Sequence, residues 1–212
     1  MTTHLPKNGH AAPAAVGTVH LVDDDPAVLT ALRWLFESVP CNVKTYESGD
    51  AFVEGYVDDG PACVVLDLVM PGMDGLALQR TLIERDLGLP VIFLSGQAKI
   101  PHAVEALKSG ATDFIEKPFG DDVLLERVQA ALSNDGARRQ ELHCRAVRQR
   151  RLAGLTRREH DVASRVVAGM PNKVIAAELG ISPRTVEVYR AQGMRKTGAR
   201  SVAELVRLFI AD

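Results

Sequence analysis

The sequence predicts a doubly wound α/β domain, built on a five-stranded parallel sheet, followed by an all-α domain of four helices. Three observations predict it. Short apolar runs alternate with helix-like segments over the first 132 residues. The runs Thr18-Val19-His20-Leu21-Val22, Cys63-Val64-Val65-Leu66, Val91-Ile92-Phe93-Leu94 and Phe114-Ile115 each end in or near a polar group. Those groups are Asp23-Asp24-Asp25, Asp67, Ser95 and Lys117. Beyond residue 152 the helix start and stop signals recur without strand-like runs.

The elements follow in order. Residues 19–22 form the first strand. Pro26 opens a helix whose apolar positions Val28, Leu29, Leu32, Leu35 and Phe36 share one face. Residues 43–46 form the second strand and 48–57 a short helix. Residues 63–66, apolar throughout, read as a buried parallel strand. Pro71-Gly72-Met73-Asp74-Gly75 has turn chemistry, and a helix follows over 76–85. Residues 91–94 form the fourth strand, 103–109 lie in a helix ended by Gly110, and 114–116 form the fifth strand. Asp121 caps a helix through Leu132.

Residues 1–17 read as a flexible tail rich in Ala, Pro and Gly, 18–132 as the α/β domain, 133–151 as a linker and 152–212 as the helical domain. The linker is rich in Arg and Gln and can turn helical after Gly136. In the last domain Thr156-Arg157-Arg158-Glu159 is a capping box. Asn172 caps a second helix over 173–179, ended by Gly180 with positive φ. Ser182-Pro183 starts a third helix that runs to about Thr197, and a second capping box, Ser201-Val202-Ala203-Glu204, starts a fourth. Two short helices joined by a tight glycine turn make a helix-turn-helix.

Charge divides the chain the same way. Through residue 135, 9 Lys+Arg face 20 Asp+Glu, whereas from residue 136 onward 16 face 7. An acidic half followed by a basic half suggests two jobs, the second on nucleic acid; two solvated surfaces that merely differ are the bland alternative. Cys41, Cys63 and Cys144 have neither metal-site nor disulfide-framework spacing, which fits free thiols in a reducing cytoplasm. No apolar run approaches the ~20 residues needed to span a bilayer, and Met1 to Gly17 lacks the pattern of a signal peptide.

Polar strand ends gather at the carboxyl edge of a parallel sheet, where open α/β folds bind ligands. Clustered carboxylates repel, so a cation is needed to keep them ionised, and hard oxygen ligands suit Mg²⁺. A phosphoryl group on Asp67 would be neutralised by that ion and by Lys117 and hydrogen-bonded by Ser95. Any single Asp is more often a cap or a solvated loop residue. Four polar strand ends in one chain, with Lys-Pro at the last, argue against that reading here.

These motifs carry a resemblance. Val22-Asp23-Asp24-Asp25, Leu66-Asp67, Met70-Pro71-Gly72-Met73-Asp74-Gly75, Ser95-Gly96 and Asp113-Phe114-Ile115-Glu116-Lys117-Pro118-Phe119 make residues 18–132 similar to a response-regulator receiver domain, which is flavodoxin-like. Leu155-Thr156-Arg157-Arg158-Glu159, Asn172-Lys173-Val174-Ile175-Ala176 and Ser182-Pro183-Arg184-Thr185-Val186 make residues 155–212 similar to a LuxR-type helix-turn-helix. Together they resemble the NarL/FixJ class of two-component response regulators, nearest its FixJ branch. The resemblance implies a phosphorylation-dependent transcriptional regulator, not an enzyme beyond its own phosphorylation and dephosphorylation. Asp67 would accept the phosphoryl group from a sensor histidine kinase. Asp24 would bind Mg²⁺ directly, Asp23 through water, and the carbonyl of Val69 would be a further ligand. Ser95 and Phe114 would move as a switch with Lys117, and the Lys117–Pro118 peptide would be cis. Asp25 falls outside the metal pair and is left to cap the first helix. Homodimers on double-stranded DNA are implied, and RNA polymerase stands as a candidate partner.

On DNA the third helix would enter the major groove. Arg184, Thr185, Glu187, Val188 and Ala191 are its outward candidates near base edges. Lys173, Arg190, Arg195 and Lys196 are candidates for phosphate contacts, which position without reading sequence. Each arginine has a solvated charge as its plain alternative. Three positions depart from the family pattern: Tyr189 stands where His is usual, and Gly193 and Thr197 stand where larger apolar residues pack. Ser95 replaces the commoner Thr and keeps the hydroxyl. Two other classes stay open from the residues alone: a phosphatase of the haloacid dehalogenase type, which Asp23-x-Asp25 suggests though Ala27 departs from its pattern, and a protein-binding module that never touches DNA.

Overall fold

The computed structural model describes residues 17–96, 104 and 106–210. Apart from Gly17, the expected N-terminal tail lies outside the described residues, as does the start of the helix expected over 103–109. Helical residues 106–108 are described. The chain divides into two compact units, the first ending at Arg139 and the second beginning at Gln140.

The first unit is a five-stranded sheet of β1 (Thr18–Val22), β2 (Asn42–Tyr46), β3 (Ala62–Asp67), β4 (Val91–Ser95) and β5 (Asp113–Glu116). The order is β2-β1-β3-β4-β5 and every pair is parallel. Helices α1 (Pro26–Phe36), α2 (Gly49–Gly55) and α3 (Gly75–Glu84) connect the strands, and α4 (Asp121–Ala153) follows β5. Alternation along the buried strands feeds two cores, one on each face of the sheet. Cys63, Val65, Ile92 and Leu94 pack with Leu29, Leu32, Phe36, Leu124 and Val128. Val64, Leu66 and Phe93 pack with Phe52, Leu78 and Leu82 on the other face.

Helix starts obey their local chemistry. Asp25 caps α1 by accepting from the Ala27 N–H at 2.8 Å, with Pro26 in the first helical position. Ser48 and Asp74 cap α2 and α3 in the same way. Asp121 is the first helical residue of α4 and not its cap; the Gly120 carbonyl accepts from the Val123 N–H at 3.1 Å.

Helix α4 does not stop at Leu132 but continues through the segment read as a linker. The reason is a polar residue in an apolar register. Leu124, Val128 and Ala131 form the buried stripe, and the next position on that stripe is Asp135, only 1% exposed. Its carboxylate accepts from the Ala62 N–H at 3.0 Å and pairs with Arg138 and Arg139 at 2.6 Å each. Arg139 also reaches Asp58 at 2.6 Å. Burial alone would push the Asp135 carboxyl up, but the two guanidiniums and the Ala62 N–H overcome it and hold it below its ordinary value.

The second unit packs α5 (Arg157–Val167), α6 (Asn172–Leu179), α7 (Pro183–Thr197) and α8 (Val202–Ile210) around Val162, Val166, Ile175, Val186 and Leu205. The Thr156–Glu159 capping box is complete in both directions, at 3.4 and 2.7 Å. The second box is only half made: Ser201 Oγ accepts from the Glu204 N–H, but Glu204 reaches back to the Arg200 N–H. Asn172 does not cap α6 either. It is the first helical residue, and its Oδ1 accepts from Arg190 at 3.5 Å. Gly180 ends α6 with φ 65°, the left-handed turn that a side chain adopts only with strain, and Ser182 caps α7.

Candidate functional site

The strand order turns at β1 and β3, so their carboxyl ends open one crevice at the switch point of the sheet. Asp67 ends β3 and Asp23 follows β1. Lys117 follows β5, two strands away from β3, and its chain reaches back across the edge. Its Nζ donates to Asp67 Oδ1 at 2.9 Å and to Asp23 Oδ2 at 3.1 Å. Backbone groups hold the other carboxylate oxygens. Val69 N–H donates to Asp67 Oδ2 at 2.8 Å, and Asp25 N–H donates to Asp23 Oδ1 at 2.9 Å. Asp23 is 3% exposed, whereas Asp24 faces solvent.

The remaining predicted residues surround this pair. Ser95 is buried at the end of β4, and its carbonyl accepts the Lys117 N–H at 2.8 Å, which ties the start of the lysine loop to β4. Phe114 is half-buried and stacks on Phe93 with ring centroids 6.2 Å apart. The Lys117–Pro118 peptide is cis. Val69 is 64% exposed at the mouth.

Gly75 is a site determinant that the turn motif named only as a turn residue. A Cβ there would lie 2.5 Å from the Asp67 carbonyl oxygen and 2.9 Å from Phe93 Cε1. Glycine therefore lets α3 begin against the end of β3.

The electrostatics follow from burial and company. Burial pushes the Asp23 carboxyl up, against the pull of the Asp25 N–H and Lys117, and the neighbouring Asp67 charge adds to the rise. For Lys117, burial works to lower the ammonium, but the Asp67 hydrogen bond and the two carboxylate charges carry it above its ordinary value. Two carboxylates thus share one ammonium. Among the described residues no three His, Cys, Asp or Glu side chains converge as a ready metal cluster. The donors at hand are hard oxygens, one carboxylate is buried beside a second where an added cation favours its charged form, and Asp24 stands beside it in solvent. In kind, these residues fit a small divalent ion that keeps most of its waters.

The second unit presents a different surface. Arg184, Glu187, Val188, Ala191 and Arg195 are exposed on α7, and their spacing of three and four residues puts them on one face. Lys173 is exposed on α6. Thr185 and Lys196 also have structural contacts. The Thr185 hydroxyl pairs with the cap Ser182 at 2.8 Å. Lys196 pairs with the buried Glu159 at 2.7 Å, and that ammonium together with the Thr156 N–H lowers the Glu159 carboxyl to about 2. Arg190 leans on Asn172. The departures inside α7 now have a place. Gly193 is buried, and a Cβ there would meet the Glu159 carbonyl and Leu155 at 3.9 Å, so α7 lies close to α5. Thr197 is 1% exposed and its hydroxyl donates to the Gly193 carbonyl at 2.7 Å. Tyr189 joins the helical core.

Comparison with known proteins matches each half of the chain to a family. Residues 19–129 match the response regulator receiver domain, and residues 153–209 match the bacterial regulatory proteins of the luxR family. The transcriptional regulatory protein FixJ of Azorhizobium caulinodans is 44% identical over 190 residues, 90% of each chain. FixJ of Rhizobium meliloti is 42% identical over 92% of this chain and 95% of its own. Among solved structures, the response regulator StyR aligns over 93% of this chain and 100% of its own, with TM-score 0.86 and 37% identity. Full-length FixJ from B. japonicum aligns over 91% and 95%, with TM-score 0.56 and 39% identity.

Proposed function

The chain belongs to the two-component response regulators that join a receiver domain to a LuxR-type DNA-binding domain, and from that premise we propose that it accepts a phosphoryl group on Asp67 and thereby controls its own binding to DNA. The observation that carries the reading is the single ammonium of Lys117 shared by Asp23 and Asp67.

The donor is a phosphohistidine of a sensor kinase. A carboxylate oxygen of Asp67 attacks phosphorus in line, the O–P bond forms as the N–P bond breaks, and the imidazole leaves with the electron pair. Asp23, Asp24, Asp67 and the Val69 carbonyl would hold Mg²⁺, which neutralises phosphoryl oxygens as charge builds on them. The protein's own part is positional. Val69 N–H pins the Asp67 oxygen that lies away from Lys117. Once Asp67 carries the phosphoryl group as an acyl phosphate, its negative charge has moved to the phosphoryl oxygens and the ammonium turns to them. The Lys117 N–H already bonds the Ser95 carbonyl, so a shift of the lysine loop is felt at β4. Ser95 hydrogen-bonds the phosphoryl group and Phe114 follows it inward.

DNA is bound by a two-fold homodimer formed on activation. The exposed face of α7 reads the major groove through Arg184, Glu187, Val188 and Ala191, with Lys173 and Arg195 on phosphates. Arg190 and Lys196 each spend one donor on a present partner and keep others for phosphate. The chain works in the cytoplasm; among the described residues no helix is long and apolar enough to cross a membrane, and Cys41, Cys63 and Cys144 are free.

Intact-mass spectrometry after incubation with acetyl phosphate and Mg²⁺ tests the acceptor. The wild type gains one phosphoryl group, EDTA prevents the gain, and Asp67→Asn gains none. Equal uptake by Asp67→Asn would remove Asp67 from this role.

A further inference from the structure

A run of positive charge without acidic partners lies outside α6 and α7, the two helices of the helix-turn-helix. From Leu142 to Arg158 the sequence holds six arginines and no acidic residue. Arg145 pairs with Glu141 at 2.7 Å. Among the described residues, no carboxylate pairs with Arg148, Arg150, Arg151, Arg157 or Arg158, and the last four are exposed. Five uncompensated guanidiniums within eleven residues repel one another, and neither local pairing nor burial relieves them.

Their placement is fixed. Arg150 and Arg151 end α4, and Arg157 and Arg158 begin α5. The turn between them is closed by Gly154 N–H on the Arg150 carbonyl at 3.3 Å and Leu155 N–H on the Leu152 carbonyl at 3.0 Å. Leu155 packs into the helical core, so the turn is anchored to the second unit. Glu159 follows directly after Arg158; it pairs with Lys196, and its carbonyl faces Gly193. The arginine turn therefore sits beside the C-terminal half of α7, the half that carries Arg195. In a helix-turn-helix the first residues of the recognition helix meet the bases. The C-terminal half leads away along the duplex.

We propose that Arg150, Arg151, Arg157 and Arg158 form a second DNA surface that binds backbone phosphates flanking the sequence read by α7. The proposal rests on the DNA-binding reading above. The partner is double-stranded DNA because its phosphates supply one negative charge per ~1.7 Å of axis, a continuous match for charges crowded on one turn. Guanidiniums also fit phosphate oxygens in pairs. Contacts of this kind carry affinity and salt dependence, not base preference.

The test uses the full chain and a duplex selected by the wild type from a random pool, prepared with long flanks and with the flanks trimmed away. The comparison is with a variant in which the four arginines become glutamine, checked by circular dichroism and thermal unfolding. On the long duplex this variant binds about tenfold or more weakly, and its slope of log affinity against log salt is shallower by about 0.9 for each phosphate it no longer neutralises. On the trimmed duplex it matches the wild type, its base preference is unchanged, and lysine at the same four positions restores most of the slope. Wild-type affinity and slope for the glutamine variant on the long duplex would overturn the second surface, while Lys173→Gln and Arg195→Gln still weakened binding and left the DNA reading standing. Tighter binding by the glutamine variant would overturn it as well. A wild type that selects no duplex would overturn both readings.

Discussion

At the scale of single residues, charge governs the site. Asp23 is buried and pushed towards protonation, and Lys117 is the cation that offsets this. Lys117→Ala should therefore keep a reduced uptake of phosphoryl groups, because Asp67 and the metal ligands remain, but lose most of the difference in DNA affinity between the two phosphorylation states. Quantitative uptake by mass and DNA titration on the same sample check this; an intact switch in the alanine variant would contradict it. His20 gives a second residue-scale prediction. It is fully buried on β1 among Tyr46, Phe52 and Tyr56, its Nδ1 bonds the Tyr46 hydroxyl at 3.1 Å, and its Nε2 has no partner among the described residues. Burial, with Lys44 assisting and Asp59 opposing, lowers it to about 4 from 6.5. Between those values the unfolded chain takes up a proton and the folded chain does not, so stability falls as pH drops. The loss attributable to His20 is about 2 kcal/mol between pH 7 and pH 5. Chemical denaturation at both pH values should show it in the wild type and not in His20→Phe; parallel curves would refute it. That Asp23, Asp67 and Lys117 meet at one sheet edge was legible in the sequence because each follows or closes an apolar run. The histidine was not, because a polar residue inside a strand run carries no sign of which side chains enclose it.

At the scale of elements, α4 shows where periodicity stops being a guide. Large apolar residues give out at Leu132, and a helix read from them ends there. The buried stripe in fact continues to a carboxylate, and no hydrophobic period can announce an Asp that is stabilised by a strand N–H 73 positions away. Asp135→Ala should destabilise the first unit by about 3 kcal/mol, since it strands the Ala62 N–H and two guanidiniums. Thermal unfolding followed through the receiver, with Asp135→Asn retaining part of the loss, checks the assignment; an unchanged midpoint in the alanine variant would sink it. Elsewhere, local signals served well. The Thr156 box, the Gly180 turn and the Ser182-Pro183 start all lie where their chemistry requires. The exposed face of α7 followed from its period, whereas the recruitment of Thr185 to a cap and of Lys196 to Glu159 depended on neighbours that no period reveals.

At the scale of the whole molecule, an acidic phosphoryl-accepting half and a basic DNA-binding half lie on one chain, and their charge difference was readable by counting. How strongly the first governs the second is the central claim, and one titration addresses it. Fluorescence anisotropy of the full chain on its selected duplex, at fixed salt, is measured before and after acetyl phosphate with Mg²⁺, for the wild type and for Asp67→Asn. The wild type should bind at least severalfold more tightly once phosphorylated, with light scattering on the same samples showing more dimer, and Asp67→Asn should bind alike in both conditions. An affinity that phosphorylation of the wild type leaves unchanged, or one that rises equally in Asp67→Asn, would contradict the account.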